Sequence, residues 1–423
     1  MSIISIDKLK ESNQKLNQQI QSFTEQPWAS GVTLLVCVVI AMLLANLPWT
    51  RDVYSSFLET NVTASIQSPL QHDGTRVIDW CFPKDMNIEK FINDFLMVIF
   101  FFTVGLEIKG EVAGGELSSP KKAMMPVISA LGGMMVPALI FTIFNHGTMA
   151  ASGWGIPTAT DIAFAVGIMS IMGNKVPVSL KVFLVALAIA DDLGAILVVA
   201  LFYGGTINLP LLAISLIILA VIYLMNLLGE KRMMFYLIPA AAVWFLFYYS
   251  GIHSTMSGVV MAFLIPMDMG KTLDKVLNPW VNFIIMPVFA LANAGVQIPS
   301  LEYCNIFEYL PEIGSVGMGI YFGLLLGKPI GITLASFLAI KLKVGVMPTG
   351  ATWKMLFAVA CLGGIGFTMS IFVDTLSFND FPEIAAQLQA RGKIAVLMGS
   401  LSAGILGSAL ISVFSRTKID KCQ

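Results

Sequence analysis

The chain has 423 residues, of which 57% are hydrophobic and only 12% charged. Soluble domains carry about 25% charged residues, so this balance excludes an ordinary soluble fold and points to an all-α, multi-pass membrane protein. A net charge of −1 gives no basis for a nucleic-acid partner, and the five cysteines follow no metal-ligand or cofactor spacing.

Residues 1–28, opening "MSIISIDKLKESNQKLNQQIQSF", are polar and lack the charged start, apolar centre and small-residue cleavage site of a signal peptide. They are expected to form a cytoplasmic segment ahead of a transmembrane transporter domain over 29–415, with 416–423 as a cytoplasmic tail. A bilayer core is about 30 Å thick and takes roughly 20 apolar residues per helix. About twelve such runs follow, centred near residues 39, 98, 133, 164, 191, 218, 241, 259, 287, 325, 365 and 403. Residues 49–88, between the first and second runs, are too polar to span and are expected to form a small outer element. With the N-terminus inside, eighteen of the 25 Lys and Arg residues fall on the inner side and six outside, while Lys328 alone sits within a span. That asymmetry follows the positive-inside rule and places both termini in the cytoplasm. Cys81 and Cys304 both fall in outer loops; a disulfide between them stays open, and unpaired thiols are the simpler reading.

The third to fifth spans (about 121–204) and the tenth to twelfth (about 313–415) correspond as inverted copies, a plan common among secondary transporters. Each triplet has an interrupted middle member: "GIPTATDIAF" at 155–164 and "CLGGIGFTMS" at 361–370. Breaks at matching positions of two halves point to a binding site at the bilayer midplane.

Four ionisable residues lie deep within spans: Asp161, Asp191, Asp192 and Lys328. Asp191 stands thirteen residues past Val178, about 20 Å along a helix. Asp94 and Asp374 fall nearer span ends, where interfacial water is within reach. A charge at a helix centre costs about 2.5–3.5 kcal/mol to insert, so four imply on the order of 10 kcal/mol unless they pair, protonate or face water. Three carboxylates against one lysine leave a surplus that structural pairing does not explain. Adjacent helix residues diverge by about 100°, so one aspartate of the pair can face a cavity and the other Lys328. Such a site holds either protons or a small hard cation such as Na⁺ or Li⁺, supplied with oxygen ligands by the carboxylates and by unwound backbone at Thr160. At the breaks themselves, Asp161 suits facing helix N-termini and Lys328 facing C-termini.

Eight stretches, in order between residues 92 and 372, resemble the NhaA family of Na⁺/H⁺ antiporters. They are "INDFLMVIFFFTVGLEIKGE" (92–111), "ISALGGMMVPAL" (128–139), "IPTATDIAFAVGIM" (156–169), "KVFLVALAIADDLGAILVVALFY" (181–203), "SGIHSTMSGV" (250–259), "NPWVNFIIMPVFALANAGV" (278–296), "GLLLGKPIGI" (323–332) and "GGIGFTMSIF" (363–372). The resemblance implies Asp192 as principal cation ligand and proton carrier, Asp191 as its partner and Lys328 as the compensating, proton-linked charge. It also places Thr160 and Asp161 at the broken-helix site. It implies electrogenic export of Na⁺ or Li⁺ against inward protons, a homodimer formed partly through 49–88, a bacterial inner-membrane location, and roles in pH homeostasis and salt tolerance. Glu107, Glu111, Asp274 and His253 are the candidates that the resemblance offers for a pH response: Glu107 and Glu111 are kept in "GLEIKGE" at the cytoplasmic face, and His253 matches a family histidine near an outer helix end. Gly110 departs from a usual basic residue, and "TLDKVLNPW" has Asp274, Lys275 and Asn278 where a glutamate and two histidines are usual.

Rival readings fit less well. An intramembrane aspartyl protease needs aspartates converging from separate helices, and a membrane prenyltransferase needs two spaced acidic motifs. An ion-coupled transporter of a small organic substrate is the runner-up. The chain is not expected to be an enzyme.

Overall fold

The computed structural model describes residues 26, 28–62, 64–67, 79–82, 86–298, 305–309, 313–378 and 382–419. Most of the expected N-terminal segment, Cys304 and the last four residues lie outside this set. Helix dominates: α1 (Ala29–Asn46), α2 (Arg51–Glu59), α3 (Ile88–Gly114), α4 (Pro120–Asn145), α5 (Ile162–Ile171), α6 (Val178–Phe202) and α7 (Leu209–Leu227) come first. Then follow α8 (Met234–Ser250), α9 (Met256–Leu264), α10 (Met267–Asn293), α11 (Val316–Lys341), α12 (Trp353–Leu362), α13 (Phe367–Ser377) and α14 (Pro382–Ile419). A 3₁₀ segment, Met149–Thr158, precedes α5. The polar stretch after α1 forms α2 and a two-stranded antiparallel hairpin, β1 (Ala64–Gln67) with β2 (Asp79–Phe82), in register Ala64↔Phe82 to Gln67↔Asp79.

Each expected apolar run falls on a helix. Among the described residues eight helices are long and apolar enough to cross a membrane, or up to ten if each bent pair is one span. The remaining two runs form shorter elements. The run near residue 241 is α8, of 17 residues, and the run near 259 is α9, of only 9. Nine residues reach about 14 Å, which is half a bilayer core, so the eighth run does not span by itself. Side chains at several helix starts accept from the backbone N–H three residues on: Asn87 from Lys90, Asn208 from Leu211, Ser315 from Met318 and Thr352 from Met355. These caps satisfy donors that a helix start leaves open.

Two interior helices widen into a π-turn just before a proline. In α10 the turn covers Val281–Ile285 and Pro287 follows; in α11 it covers Gly323–Gly327 and Pro329 follows. Proline lacks an N–H and its ring crowds the carbonyl four residues back. A wider turn at that carbonyl relieves the clash and re-aims the next residue, which in α11 is Lys328. A third π-turn, Ile92–Leu96 in α3, has no such proline.

α4 and α11 pack closely through small residues, with Ser129 Oγ 2.7 Å from Ser336 Oγ. Large apolar side chains such as Leu35, Val39, Leu43, Ile217, Val221 and Leu224 face outward from α1 and α7, as a lipid-bathed surface requires. One end of the bundle carries α2, whose Tyr54 bonds Leu291 O near the end of α10, and with it the hairpin that joins α2 to α3; the opposite end, at the close of α3 and the start of α10, carries Lys109 and Lys271 around one cavity.

Candidate functional site

Two broken pairs cross inside the bundle. The 3₁₀ segment and α5 bend by 41° about Ala159–Asp161, and α12 and α13 bend by 52° about Gly363–Gly366. The backbones touch: Asp161 N donates to Ile365 O at 2.6 Å, and Thr160 Oγ1 donates to Gly363 O at 2.8 Å. Glycine is required for that approach. A Cβ on Gly366 would stand 2.9 Å from Ala159 O, and one on Gly364 would collide with Leu324 O of α11.

Asp161 serves both helix starts at the crossing. Its Oδ1 accepts from Phe164 N of α5 at 3.2 Å; its Oδ2 accepts from Thr368 N at 3.1 Å and Thr368 Oγ1 at 2.6 Å in α13. Four N–H groups are open at every helix start, and the helix dipole adds positive potential there. One buried carboxylate therefore answers two N-termini. On the other side of the crossing, Lys328 Nζ donates to Thr160 Oγ1 at 3.0 Å and to Asp191 Oδ2 directly. Both members of the lysine–aspartate pair are 0% exposed.

The adjacent aspartates face different surroundings. Asp191 turns to Lys328, whereas Asp192 lines a cavity of about 300 Å³ with Thr160, Asp161, Glu107, Thr103 and Asn282. Asp192 Oδ1 has no hydrogen-bond partner. A second cavity of about 400 Å³ adjoins the first at shared walls, Glu107, Ile162 and Val166, and continues toward the lysine-bearing end past Glu111, Asp274 and Lys271.

The structure thus gathers Thr160, Asp161, Asp191, Asp192 and Lys328 at one point. Glu107 stands between the cavities, its Oε1 accepting from Asn278 Nδ2 at 3.0 Å, and Asn282 in turn donates to Asn278. Glu111 and Asp274 line the outer of the two cavities. His253 lies apart from all of these. Its Nε2 is 4.0 Å from Asp94 Oδ1, its Nδ1 is 2.7 Å from Thr255 Oγ1, and its ring meets Phe372 edge-on.

Two partners were not assigned from sequence: Thr368 as donor to Asp161, and the Asn278–Asn282 pair beside Glu107. The available signal was a polar side chain on an otherwise apolar helix. Asp374 corrects an expectation. Near a span end by sequence, it is fully buried, with neither carboxylate oxygen hydrogen-bonded.

Among the described residues no group of three or more His, Cys, Asp or Glu is placed to hold a metal ion. The donors at the crossing are carboxylates and a hydroxyl, hard ligands suited to a proton or small cation in passage. Buried charges at a crossing of broken helices, beside a polar cavity in a bundle of membrane-length helices, define an ion transporter rather than an enzyme.

The chain belongs to the family described as Na⁺/H⁺ antiporter 1, which matches residues 21–411. It is 40% identical over 401 residues to Na⁺/H⁺ antiporter NhaA 1 of Klebsiella pneumoniae, covering 93% of this chain and 96% of that one. It is 39% identical over 409 residues to Na⁺/H⁺ antiporter NhaA of Escherichia coli O1:K1, covering 95% of this chain and all of that one. The NhaA antiporter of Shigella dysenteriae serotype 1 is 38% identical over the same length. Family membership makes the chain a multi-pass membrane transporter of Na⁺ and H⁺.

Proposed function

We propose that the protein exports Na⁺ or Li⁺ in exchange for a larger number of inward protons, across a bacterial inner membrane, with both termini cytoplasmic. The excess positive charge moved makes the cycle electrogenic, so membrane potential contributes about 2.3 kcal/mol per charge per 100 mV. The cell gains salt tolerance and pH homeostasis from it. In this reading residues 121–204 and 313–415 are inverted repeats within a transporter domain over 29–415. Residues 49–88, with α2 and the hairpin, contribute to a homodimer.

The supporting observation is the split between the two aspartates. Asp192 lines a cavity shared with Asp161 and Thr160 and keeps a buried oxygen without a hydrogen-bond partner, while Asp191 is held by Lys328. A carboxylate so placed is stable when it holds a proton or a cation and costly when it holds neither. Na⁺ displaces the proton on one side, and protons displace Na⁺ on the other. Asp192 carries the cargo, and Thr160 and Asp161 add oxygen ligands. Asp191 and Lys328 exchange partners as charge enters the cavity. Glu107, Glu111 and Asp274, along the way in, set the local potential and with it the pH response, and His253 acts from the opposite end.

The test is a pH-dye assay in everted membrane vesicles. Adding Na⁺ or Li⁺ to energised vesicles holding the wild-type chain should collapse the proton gradient, and Asp192→Asn at equal membrane abundance should not. Full Na⁺-evoked proton movement by that variant would remove Asp192 from the mechanism.

A further inference from the structure

α13 leaves the crossing at Thr368 and runs six residues, about 9 Å, to Asp374, toward the end of the bundle that bears the hairpin. The Asp374 side chain is 0% exposed, and neither Oδ1 nor Oδ2 has a hydrogen-bond partner. The space is shaped by Gly392 of α14, where a Cβ would stand 3.2 Å from Oδ2 and collide with Oδ1.

The nearest hydroxyl donors are committed elsewhere. Tyr203, just past α6, gives its hydroxyl proton to Ser152 O at 2.7 Å, and Ser377, one turn on, gives its own to Val373 O at 2.6 Å. Arg391 of α14 binds Glu308 at 2.7 Å. Lys393 of α14 stands one residue past Gly392, and neither Asp374 oxygen accepts a hydrogen bond from it. On the far face of α13, His253 rests against Phe372 and is paired with Asp94. The 3₁₀ segment packed against α13 brings no charge.

An ionised carboxylate with no donor and no water-exposed atom is among the least tolerable states in a protein interior. A hard cation would need several oxygens around it, and Gly392 backbone stands against the group instead. A proton needs no such room. We propose that Asp374 is a second proton-binding site, separate from the Asp191–Asp192–Lys328 cluster. It holds a carboxylic proton while α13 and α14 are closed and passes it to water when their hairpin-end halves part. The O–H bond then breaks, water takes the proton as hydronium, and the carboxylate left behind is balanced by Lys393. Its place as a proton relay rests on the exchange reading above; the proton itself does not.

The experiment follows the infrared C=O stretch of protonated carboxyl groups in the full-length protein in lipid, titrated from acid to alkaline. One band should be missing in Asp374→Asn, persist in Asp192→Asn, and survive to higher pH in Lys393→Gln, where the balancing cation is gone. The pH profile of Na⁺/H⁺ exchange should also be less steep in Asp374→Asn. If that variant fails to reach the membrane, Lys393→Gln still reads the same band. An unchanged spectrum in Asp374→Asn, an unshifted band in Lys393→Gln, or an Asp374→Asn profile superimposable on wild type overturns the proposal. A wild-type chain that shows the Asp374 band but exchanges no Na⁺ would instead remove the exchange reading and leave the protonated carboxyl standing.

Discussion

The lysine–aspartate contact between α11 and α6 offers a sharp energetic test. Lys328 and Asp191 are both 0% exposed, so neither can turn to solvent when the other is removed. Breaking a buried pair by deleting one partner costs about 3–5 kcal/mol, because the survivor is an uncompensated charge. Lys328→Met leaves Asp191 with an Oδ1 that is already unpartnered. Asp191→Asn leaves an ammonium whose two acceptors, Thr160 Oγ1 and an amide oxygen in place of the carboxylate, are both neutral. The double variant has neither charge, and its loss of stability should fall short of the summed single losses by about 2–3 kcal/mol, the upper range for residues in contact. Denaturant unfolding of the four purified proteins in detergent, followed by tryptophan fluorescence, gives the cycle directly. Additivity within about 0.5 kcal/mol would refute the claim that the pair is energetically coupled.

Two further outcomes are expected. Thr368→Val deletes the 2.6 Å hydroxyl donor to Asp161 but keeps the backbone donor at 3.1 Å; a hydrogen bond to a charged group is worth about 1.5–3 kcal/mol, and the same unfolding assay should show a loss of that size, with Thr368→Ser near wild type. At the hairpin end, Tyr54 donates its phenol proton to Leu291 O at 2.5 Å. Burial, then the nearby Glu89 carboxylate, pushes its pKa up to about 12. Because the folded value is raised, the stabilisation is complete below the ordinary tyrosine value of about 10 and is lost as pH climbs through about 12. The ultraviolet phenolate signal of wild type minus Tyr54→Phe should therefore rise near the higher value; a rise near the ordinary one would contradict the buried contact.

The parts of this molecule legible in sequence were those set by solvent preference. Apolar runs mark where lipid must be met, and the depth of Asp191 and Asp192 follows from helix rise alone. Proline and glycine in "GIPTATDIAF" and "CLGGIGFTMS" mark the breaks because helices cannot continue smoothly there. What escaped was decided by contacts between distant segments. Asp374 lies near a span end, which suggests water; Gly392 of α14, eighteen residues on, lets a second helix close over it. Thr368 becomes a ligand of Asp161 only because the two breaks coincide in space. The short α9 reads as a full span because its apolar character continues past its end through Ile265, Pro266 and Met267. The widened turns ahead of Pro287 and Pro329 had a local cause, in the same spacing in both helices, and were the one missed feature that the chain itself spelled out.

The stitching of the two broken helices has a mechanical corollary. Asp161 N to Ile365 O, Thr160 Oγ1 to Gly363 O, and the Thr368 donors to Asp161 bind one broken helix to the other through buried polar links. Each link, if severed without replacement, leaves an unmet polar group in a dry setting. The wall opposite is different: α3 and α10 face the crossing across the cavity, with Phe100, Val104 and Met286 beside Thr103, Glu107 and Asn282, and polar groups that look onto a cavity can trade partners with water at little cost. Any swing that opens the aspartates to the other compartment should therefore carry the knotted crossing as a single pivot, with slippage along the cavity and the knot left tied.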